Sequence, residues 1–519
     1  MVSILHANAR TYGKRVAGFS LLFTSLRAKG YRRENFAGRN THTLDTTRIA
    51  QMRRFVEESM RELAIPGAAI SLIDRGKVVF LQGFGVRQLG KPTPVDADTL
   101  FMAASNTKAL TTLLLAELVD EHQLRWDEPV IDVYRAFKLG NPQTTQRVLI
   151  KHLVCACTGM PQQNLEWLFN YRIASPASSL ALLATMQPTS GFGEVYQYSN
   201  LMAAAGGYVA AYTISPTQEL GTTYDEAMHR KVFAPLRMDR TTFDFSAALK
   251  GDFASPHGEG IDGRTAVARM DINYAVVPVR PAGGVWTSAR DLSQYIQMEL
   301  AGGLLPDGKR LVSKQNLLAR RAPQIATGED ENYGMGLVVS SKYGIPVIDH
   351  GGSQFGYKSD MFFLPNQGVG AVILTNAEAG IELYEPFLRR LLEVLFDANP
   401  EAKQQLTVAA TNRRIEIAKE HAELTFPPDP AAVARLAHHY VSSTLGELVV
   451  RSDANGTVFD FGEWHANVAS HTNADGTVSF STLDPTSTFN FVAGAQQGYR
   501  TLTIRDAQHE YVFFESPVS

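Results

Sequence analysis

The sequence predicts an α+β fold, in which an antiparallel sheet flanked by helices is joined to a helical subdomain and followed by a small all-β barrel. Two observations support this class. Strand-like segments lie at both ends of residues 46–400 with helical patterns between them, and short strands with repeated turns fill residues 431–519. Strands from both ends of a segment can pair into one sheet around its helical middle. One core seldom exceeds roughly 250 to 300 residues, so a chain of 519 residues is expected to form more than one unit.

The composition argues against two classes of partner. Hydrophobic residues make up 45% of the chain, charged residues 19%, and the net charge is only −3. This is the balance of an ordinary globular protein, without the basic excess of a nucleic-acid binder. No uninterrupted apolar run reaches the roughly 20 residues that a membrane-spanning helix needs. We therefore expect neither a nucleic-acid partner nor a membrane span.

Within residues 1–45, positions 1–44 differ from the rest because eight basic side chains face one acid, Glu34, around an apolar run at 16–26. Such a run is typical of a signal or transit segment, but Arg27-Ala28-Lys29 stands where a small-x-small cleavage site would be expected. A targeting segment, a disordered basic tail and a start codon placed too early all stay open. The basic residues are Arg10, Lys14, Arg15, Arg27, Lys29, Arg32, Arg33 and Arg39.

The next segments predict the start of the sheet. Apolar residues at helical spacing over 46–63 indicate an amphipathic helix that ends before Pro66. The runs 68–73 and 78–84 read as strands joined by a turn at 74–77. The glycines at 83 and 85 might suggest a phosphate loop, but no helix start follows at the right place, so a strand end is preferred.

The middle of the chain reads as helical and the later part as strands. Helical patterns follow residue 108 and recur at 148–154, 165–169 and 178–186. Short apolar runs then predict strands at 336–340, 346–349, 359–364 and 370–375, before a helix at 382–396. The early and late strands are expected to share one sheet.

Residues 401–430 are polar around a helical patch and are interpreted as a linker. Residues 431–519 predict a lipocalin-like barrel with turns at 453–456 and 473–476. His438 and His439 lack further spaced ligands, so we expect a strand entrance and no metal site.

The two cysteines, Cys155 and Cys157, are too close for a usual disulfide and too few for a metal cage. We expect two buried, free thiols and a fold that does not depend on oxidation.

Ser105 and Lys108 are the first candidates for chemistry. If a helix begins here, residues three apart face the same side, so the hydroxyl and the amine share one site. A serine becomes a nucleophile when a nearby base takes its proton, and a lysine can act as that base if burial depresses its pKa. Alone, this spacing is common, and a solvated helix start is the more frequent explanation.

Two further stretches strengthen the case. Tyr198 and Asn200 can point into one cleft, and a lysine ammonium beside the tyrosine would stabilise its phenolate as a base. Gly351 and Gly352 end a predicted strand where a substrate backbone can approach closely. At this strand end, the backbone N–H of Ser353 is expected to complete an oxyanion hole together with the backbone N–H of Ser105.

With these motifs the chain resembles the penicillin-binding-protein-like serine hydrolases, the superfamily of class C β-lactamases, D,D-carboxypeptidases, D-aminopeptidases and carboxylesterases. The likeness covers about residues 46–400 and implies a β-lactamase/transpeptidase-like sheet. The matching motifs, in chain order, are Ser105-x-x-Lys108, Tyr198-Ser199-Asn200 and His350-Gly351-Gly352.

The resemblance implies roles for these residues. Ser105 would attack an acyl carbonyl, with Lys108 and Tyr198 sharing the general-base work. Asn200 would bond the substrate or hold Lys108, and Gln163 matches a family position that touches the acyl side chain. No cofactor is implied.

His350 departs from the lysine that many β-lactamases carry in the third motif. A histidine is mostly neutral at pH 7 and is a poor partner for a substrate carboxylate. We therefore expect an esterase or a peptidase of small amides, esters or D-amino-acid peptides, with at most weak β-lactamase activity. A catalytically silent binding or assembly protein of the same fold is the alternative.

Compartment and assembly stay open. The resemblance implies the bacterial periplasm or secretion, whereas a cytoplasmic protein is expected if the N-terminal segment is not a signal. A homo-oligomer is a further expectation. The C-terminal barrel either narrows the choice of acyl group or only stabilises the protein.

Overall fold

The computed structural model describes residues 9–26, 30, 32–453, 456–506 and 509–516. It contains one large antiparallel sheet, a helical region and a closed barrel, which confirms the predicted fold class. No helix within the described residues is both long and apolar enough to cross a membrane. The helices are α1 (Ala9–Ser25), α2 (Thr46–Glu62), α3 (Thr107–Asp120), α4 (Val130–Val133), α5 (Pro142–Arg147), α6 (Leu165–Phe169), α7 (Pro176–Leu182), α8 (Asn200–Ile214), α9 (Leu220–Ala227), α10 (Ala234–Leu236), α11 (Phe245–Ala248), α12 (Ala289–Leu300), α13 (Lys314–Ala319), α14 (Tyr384–Phe396), α15 (Ala402–Ala422) and α16 (Pro430–Val433).

The strands fall into the large sheet, two short pairs and the barrel. Before the barrel they are β1 (Gly67–Asp74), β2 (Lys77–Gly85), β3 (Phe101–Met102), β4 (His257–Glu259), β5 (Thr265–Val267), β6 (Trp286–Thr287), β7 (Ile325–Gly328), β8 (Glu331–Tyr333), β9 (Val338–Ser340), β10 (Val347–Gln354), β11 (Tyr357–Leu364) and β12 (Val369–Thr375). The barrel strands are β13 (His439–Ser442), β14 (Gly446–Asp453), β15 (Gly456–Asp460), β16 (His465–Thr472), β17 (Val478–Thr482), β18 (Asn490–Gln496), β19 (Tyr499–Arg505) and β20 (Glu510–Glu515).

The large sheet has the order β2-β1-β12-β11-β10-β9-β8-β7, so the early strands pair with the late ones as expected. Ile70 of β1 lies opposite Ile373 of β12. β1 is buried at every position because helices cover both faces of the sheet. Successive side chains alternate between the faces: Ala69 packs with the core of α3 and α12, and Ile70 packs with the core of α2 and α14.

The helical region places α3 in the centre of the larger core, where all residues from Thr107 to Leu118 are buried. It packs against α8 and against a 3₁₀-helical segment, Asp271–Ala282. A helix that is buried on all sides needs apolar or fully bonded residues around its circumference, which is why α3 shows no single apolar stripe.

Two predicted segments differ from expectation. Part of residues 1–45 packs on the sheet domain: Phe36 and Leu44 are buried, and the Phe36 N–H donates to the Tyr343 carbonyl. Residues 32–45 are therefore not a free tail; residues 1–8, 27–29 and 31 lie outside the described part. The predicted linker contains α15, whose Ala402 and Leu406 are buried. The apolar residues of this helix form no single stripe, and Val408 and Ile415 are exposed, which made its packing hard to predict.

The barrel closes with its eight strands in chain order and β13 paired with β20. Phenylalanine rings fill its interior; Phe459, for example, lies 5.8 Å from Phe480 and 5.7 Å from Phe491. The turn predicted at 473–476 is present, with Gly476 at φ 82°. Residues 454 and 455 of the other predicted turn lie outside the described residues. His439 contacts Glu447, and no group of three metal-ligating side chains occurs within the described ranges.

The prediction of free thiols was wrong, because Cys155 and Cys157 are joined by a disulfide. Ala156 between them has φ 52°, a left-handed conformation that reverses the chain, and the two Cα atoms lie 5.2 Å apart. Sequence spacing alone does not reveal this conformation. The expectation that both residues are buried is confirmed.

Candidate active site

Ser105 lies in a 3₁₀ turn, Ala104–Asn106, immediately before α3. Ala104 has φ 46°, a left-handed conformation that is costly for a residue with a side chain and is often found at functional sites. The Asn106 amide donates to the Ala103 carbonyl (3.1 Å) and to the Ser359 hydroxyl (2.7 Å). These bonds tie the turn to β11 and so fix the direction of the Ser105 side chain.

Gly352 allows β10 to pass directly beside this turn. A Cβ at this position would lie 2.3 Å from both the Ala103 carbonyl oxygen and the Ser359 hydroxyl. Any larger residue would therefore push the strand and the turn apart. The third sequence motif has a glycine here because the backbones of the two elements meet.

Lys108 is buried below Ser105 with its Nζ 3.0 Å from the Ser105 Oγ. The same Nζ lies 2.9 Å from the Asn200 Oδ1 and 2.6 Å from the Ala282 carbonyl oxygen, both of which only accept hydrogen bonds. Burial lowers the pKa of Lys108 well below its usual value. A neutral amine has two hydrogens for these two acceptors and one lone pair for the Ser105 hydroxyl hydrogen. The geometry therefore fits a general base.

Tyr198 approaches Ser105 from the other side, and its hydroxyl donates to the Ser105 Oγ at 2.8 Å. Burial raises its pKa above the usual value. The sequence predicted a phenolate stabilised by Lys108, but the pKa moves in the opposite direction because the ring is fully desolvated. Tyr198 is thus a proton donor in this state, and Lys108 is the better base.

His350 extends from β10 beside these groups. Its Nε2 lies 2.9 Å from the Tyr333 hydroxyl and its Nδ1 lies 2.7 Å from the Gly351 carbonyl oxygen. Burial, and next the neighbouring Lys108, lower its pKa to about 3. The ring is therefore neutral at pH 7, and its protonated fraction is smaller than that of a histidine with an ordinary pKa.

These groups open into a cleft of about 820 Å³. Seven of the nine predicted site residues line it, and Lys108 lies beneath its floor. The lining residues among the predicted ones are Ser105, Tyr198, Asn200, His350, Gly351, Gly352 and Ser353.

Gln163 is the predicted residue that the structure does not bring to the cleft. It is buried, and its amide donates to the Glu166 carboxylate. Its neighbours Gln162 and Asn164 line the cleft in its place. The side chain turns inward because the buried carboxylate requires a donor.

Much of the remaining lining is aromatic and was not predicted from the sequence. Trp167, Tyr196, Tyr333, Phe355 and Tyr384 line the cleft. They lie on separate elements and have no common spacing, so no pattern could have grouped them.

The barrel contributes to this site in two ways. Thr486, between β17 and β18, lines the cleft directly. Phe169, at the end of α6, packs among barrel rings, 4.9 Å from Phe461 and 5.3 Å from Trp464. α6 also carries Trp167, so the barrel supports one wall of the cleft.

A family model described as beta-lactamase matches residues 52–394 of this chain. Among curated proteins, the chain is 25% identical to penicillin-binding protein 4 of Amycolatopsis lactamdurans, over 63% of this chain and 85% of that protein. It is also 25% identical to an unguisins hydrolase of Aspergillus campestris, over 69% and 70% of the two chains. It is 24% identical to the protein flp of Staphylococcus aureus, over 69% and 68%.

Among solved structures, the chain is similar to an octameric penicillin-binding protein homologue from Pyrococcus abyssi, with a TM-score of 0.58 and 20% identity. The likeness covers 89% of this chain and 99% of the other. At this identity the likeness concerns the fold, and it confirms the β-lactamase-like architecture that the motifs implied.

Proposed function

Because the chain belongs to the beta-lactamase family, we propose that it is a serine hydrolase which forms an acyl-enzyme on Ser105. One observation carries this proposal: the Ser105 Oγ lies within hydrogen-bond distance of both the Lys108 Nζ and the Tyr198 hydroxyl, on the floor of an open cleft. A hydroxyl held between a base and a proton donor is equipped for acyl transfer.

In the first step, Lys108 takes the proton of Ser105 while the Oγ attacks the acyl carbonyl. Tyr198 then donates its proton to the leaving group, and the proton that Lys108 took from Ser105 restores the phenol of Tyr198. The backbone N–H groups of Ser105 and Ser353 stabilise the oxyanion, each by about 2.7 to 4 kcal/mol. Asn200 holds Lys108 in place through its Oδ1. Water completes the cycle by hydrolysing the ester.

The proposed substrates are esters, small amides or D-amino-acid peptides without a carboxylate beside the third motif. Neutral His350 supports this choice, as does the pairing of Lys358 with Glu378 at 2.6 Å. Penicillin turnover is therefore expected to be weak. The names of the relatives include both a penicillin-binding protein and an unguisins hydrolase, which suits a broad acyl-transfer chemistry.

The alternative is a binding or assembly protein that keeps the fold without activity. A scaffold has no need for a buried lysine beside a serine, since removing an amine from water is costly when no carboxylate accompanies it. Undetectable hydrolysis across ester, D-amino-peptide and β-lactam panels would favour this alternative.

The test is covalent labelling. A fluorophosphonate probe is expected to add one label to the protein, at Ser105, as seen by intact mass and peptide mapping. Ser105→Ala should abolish both the label and p-nitrophenyl ester turnover, whereas Ser341→Ala, at an exposed serine, should retain both. A folded Ser105→Ala protein that hydrolyses the ester at the wild-type rate would contradict the proposal.

A further inference from the structure

The surroundings of His350 determine which ring nitrogen bears hydrogen. The Gly351 carbonyl oxygen, 2.7 Å from Nδ1, can only accept a hydrogen bond, so Nδ1 carries the hydrogen. Because the ring is neutral, its Nε2 has a lone pair and can only accept.

Tyr333 occupies that lone pair. Its hydroxyl lies 2.9 Å from Nε2, and burial raises the pKa of the phenol, which therefore keeps its hydrogen and donates it. Both polar atoms of the His350 ring are thus bonded inside the protein. A side chain with neither charge nor free donor offers a substrate only the surface of its ring.

Packing fixes the Tyr333 hydroxyl in this position. The ring is 2% exposed, and its centroid lies 5.5 Å from Tyr196, 6.2 Å from Tyr198 and 5.8 Å from His350. Titratable groups facing the His350 ring are Lys108 on α3, Tyr198 before α8 and Tyr333 on β8. None of them is a carboxylate, whose negative charge would favour a protonated histidine.

We propose that Tyr333 is a positioning residue that fixes His350 as an uncharged, fully bonded side chain, so that the cleft selects acyl substrates without a carboxylate at this wall. The proposal rests on the proposed function, because it assigns a substrate class to the Ser105 site. Among described lining residues, Lys358 has the other basic side chain, and it is paired with Glu378. A carboxylate here would lose water without gaining a partner.

The first test uses NMR of the whole protein with ¹⁵N-labelled histidine. The wild type should show His350 as the Nδ1–H tautomer with no titration between pH 5 and 8. In Tyr333→Phe the Nε2 lone pair has no donor, so His350 should titrate at higher pH than in the wild type. Tyr343→Phe, which removes a phenol hydroxyl from a buried ring outside the cleft, should leave the His350 signals unchanged.

The second test measures kcat and KM at pH 5 for a neutral ester and for the same ester with a carboxylate. Wild-type and Tyr343→Phe proteins should discriminate against the carboxylate. Tyr333→Phe should lose about tenfold of that discrimination, chiefly through KM, as expected for one charge-assisted hydrogen bond. His350→Lys should lose the discrimination against the carboxylate at pH 7 as well. Thermal unfolding checks that each variant is folded.

An unchanged His350 tautomer and titration in Tyr333→Phe, or unchanged discrimination in both Tyr333→Phe and His350→Lys, would overturn the proposal. Failure of the proposed function has a different signature, since wild-type protein would then turn over neither ester. The NMR result is independent of turnover and tests the Tyr333 role in either case.

Discussion

At the scale of single residues, catalysis depends on where protons reside. Burial moves the pKa of Lys108 down and that of Tyr198 up, which supports their proposed roles as base and acid on either side of Ser105. Both shifts have the same cause, because burial disfavours whichever form is charged. The amine and the phenol are consequently both neutral, and the site can pass a proton without first separating charge.

The protonation of Lys108 predicts the pH dependence of the reaction. The neutral amine is the active form, so kcat/KM should fall as pH drops through the Lys108 pKa. It should reach its plateau well below the usual lysine pKa of about 10.4. Lys108→Arg keeps a permanent cation and should lower kcat/KM by roughly 10² to 10⁴.

The measurement is a pH–rate profile with a p-nitrophenyl ester, with Lys419→Arg, an exposed lysine on α15, as the matched control. A kcat/KM that keeps rising up to the usual lysine pKa of about 10.4, or full activity in Lys108→Arg, would exclude Lys108 as the base.

At the scale of elements, the site forms where β10 meets the turn that begins α3. Gly352 removes the side chain that would separate them, while Asn106 and Ser359 bond across the junction. The nucleophile is thus held by a helix start on one side and by a strand edge on the other. Sites built on such rigid elements keep their geometry better than sites on loops.

Gly352→Ala tests this junction. The added Cβ meets backbone and hydroxyl oxygen atoms at 2.3 Å, so stability should fall by about 1 to 3 kcal/mol, and ester turnover should fall with it. Gly351→Ala is the matched control, since its Cβ meets only the Tyr384 ring edge at 3.1 Å and should cost less. Thermal unfolding and kcat/KM measure both effects; equal losses in the two variants would contradict the account.

At the scale of the whole molecule, the barrel and the sheet domain share one hydrophobic core. Phe169 inserts between Phe461, Trp464 and other barrel rings, while the Tyr511 hydroxyl donates to Glu166 at 2.7 Å. α6 is only five residues long and could not hold its position alone. Its cleft-lining residues therefore depend on the barrel for their placement.

Phe169→Ala is expected to release α6 from the barrel. Losing a buried phenylalanine should destabilise the protein by about 3 to 5 kcal/mol. KM for an ester with a bulky acyl group should change, whereas kcat for an acetyl ester should be retained. Phe459→Ala, inside the barrel, should destabilise the protein without changing this preference.

The measurement is kcat and KM with acetyl and bulky acyl esters, at temperatures below those at which either variant unfolds. It shows whether the barrel affects acyl preference. Equal acyl preference in wild type and Phe169→Ala would leave the barrel as a stabilising appendage, the other role considered from the sequence.

Most of the fold could be predicted from the sequence because its helices and strands are encoded in local patterns. The early and late strands have apolar runs bounded by turns, and α2 and α14 have helical periodicity; each is found close to its expected place. Ser105, Lys108 and Tyr198 could be named because each lies in a short motif of the family that the chain resembles. The Cys155–Cys157 disulfide and the packing of α15 could not, since they depend on one left-handed residue and on a surface formed elsewhere.

The sequence by itself determined the α+β class, the separate barrel and the three motifs of the site, because periodicity and motif spacing are local properties. Only the tertiary structure decided that Gln163 turns away, that Tyr333 bonds His350, and that Tyr198 keeps its proton. The physical reason is that hydrogen-bond partners and desolvation are set by contacts that form only when the chain folds. Even Glu166, three residues from Gln163, is buried and bonded to Tyr511 of the barrel.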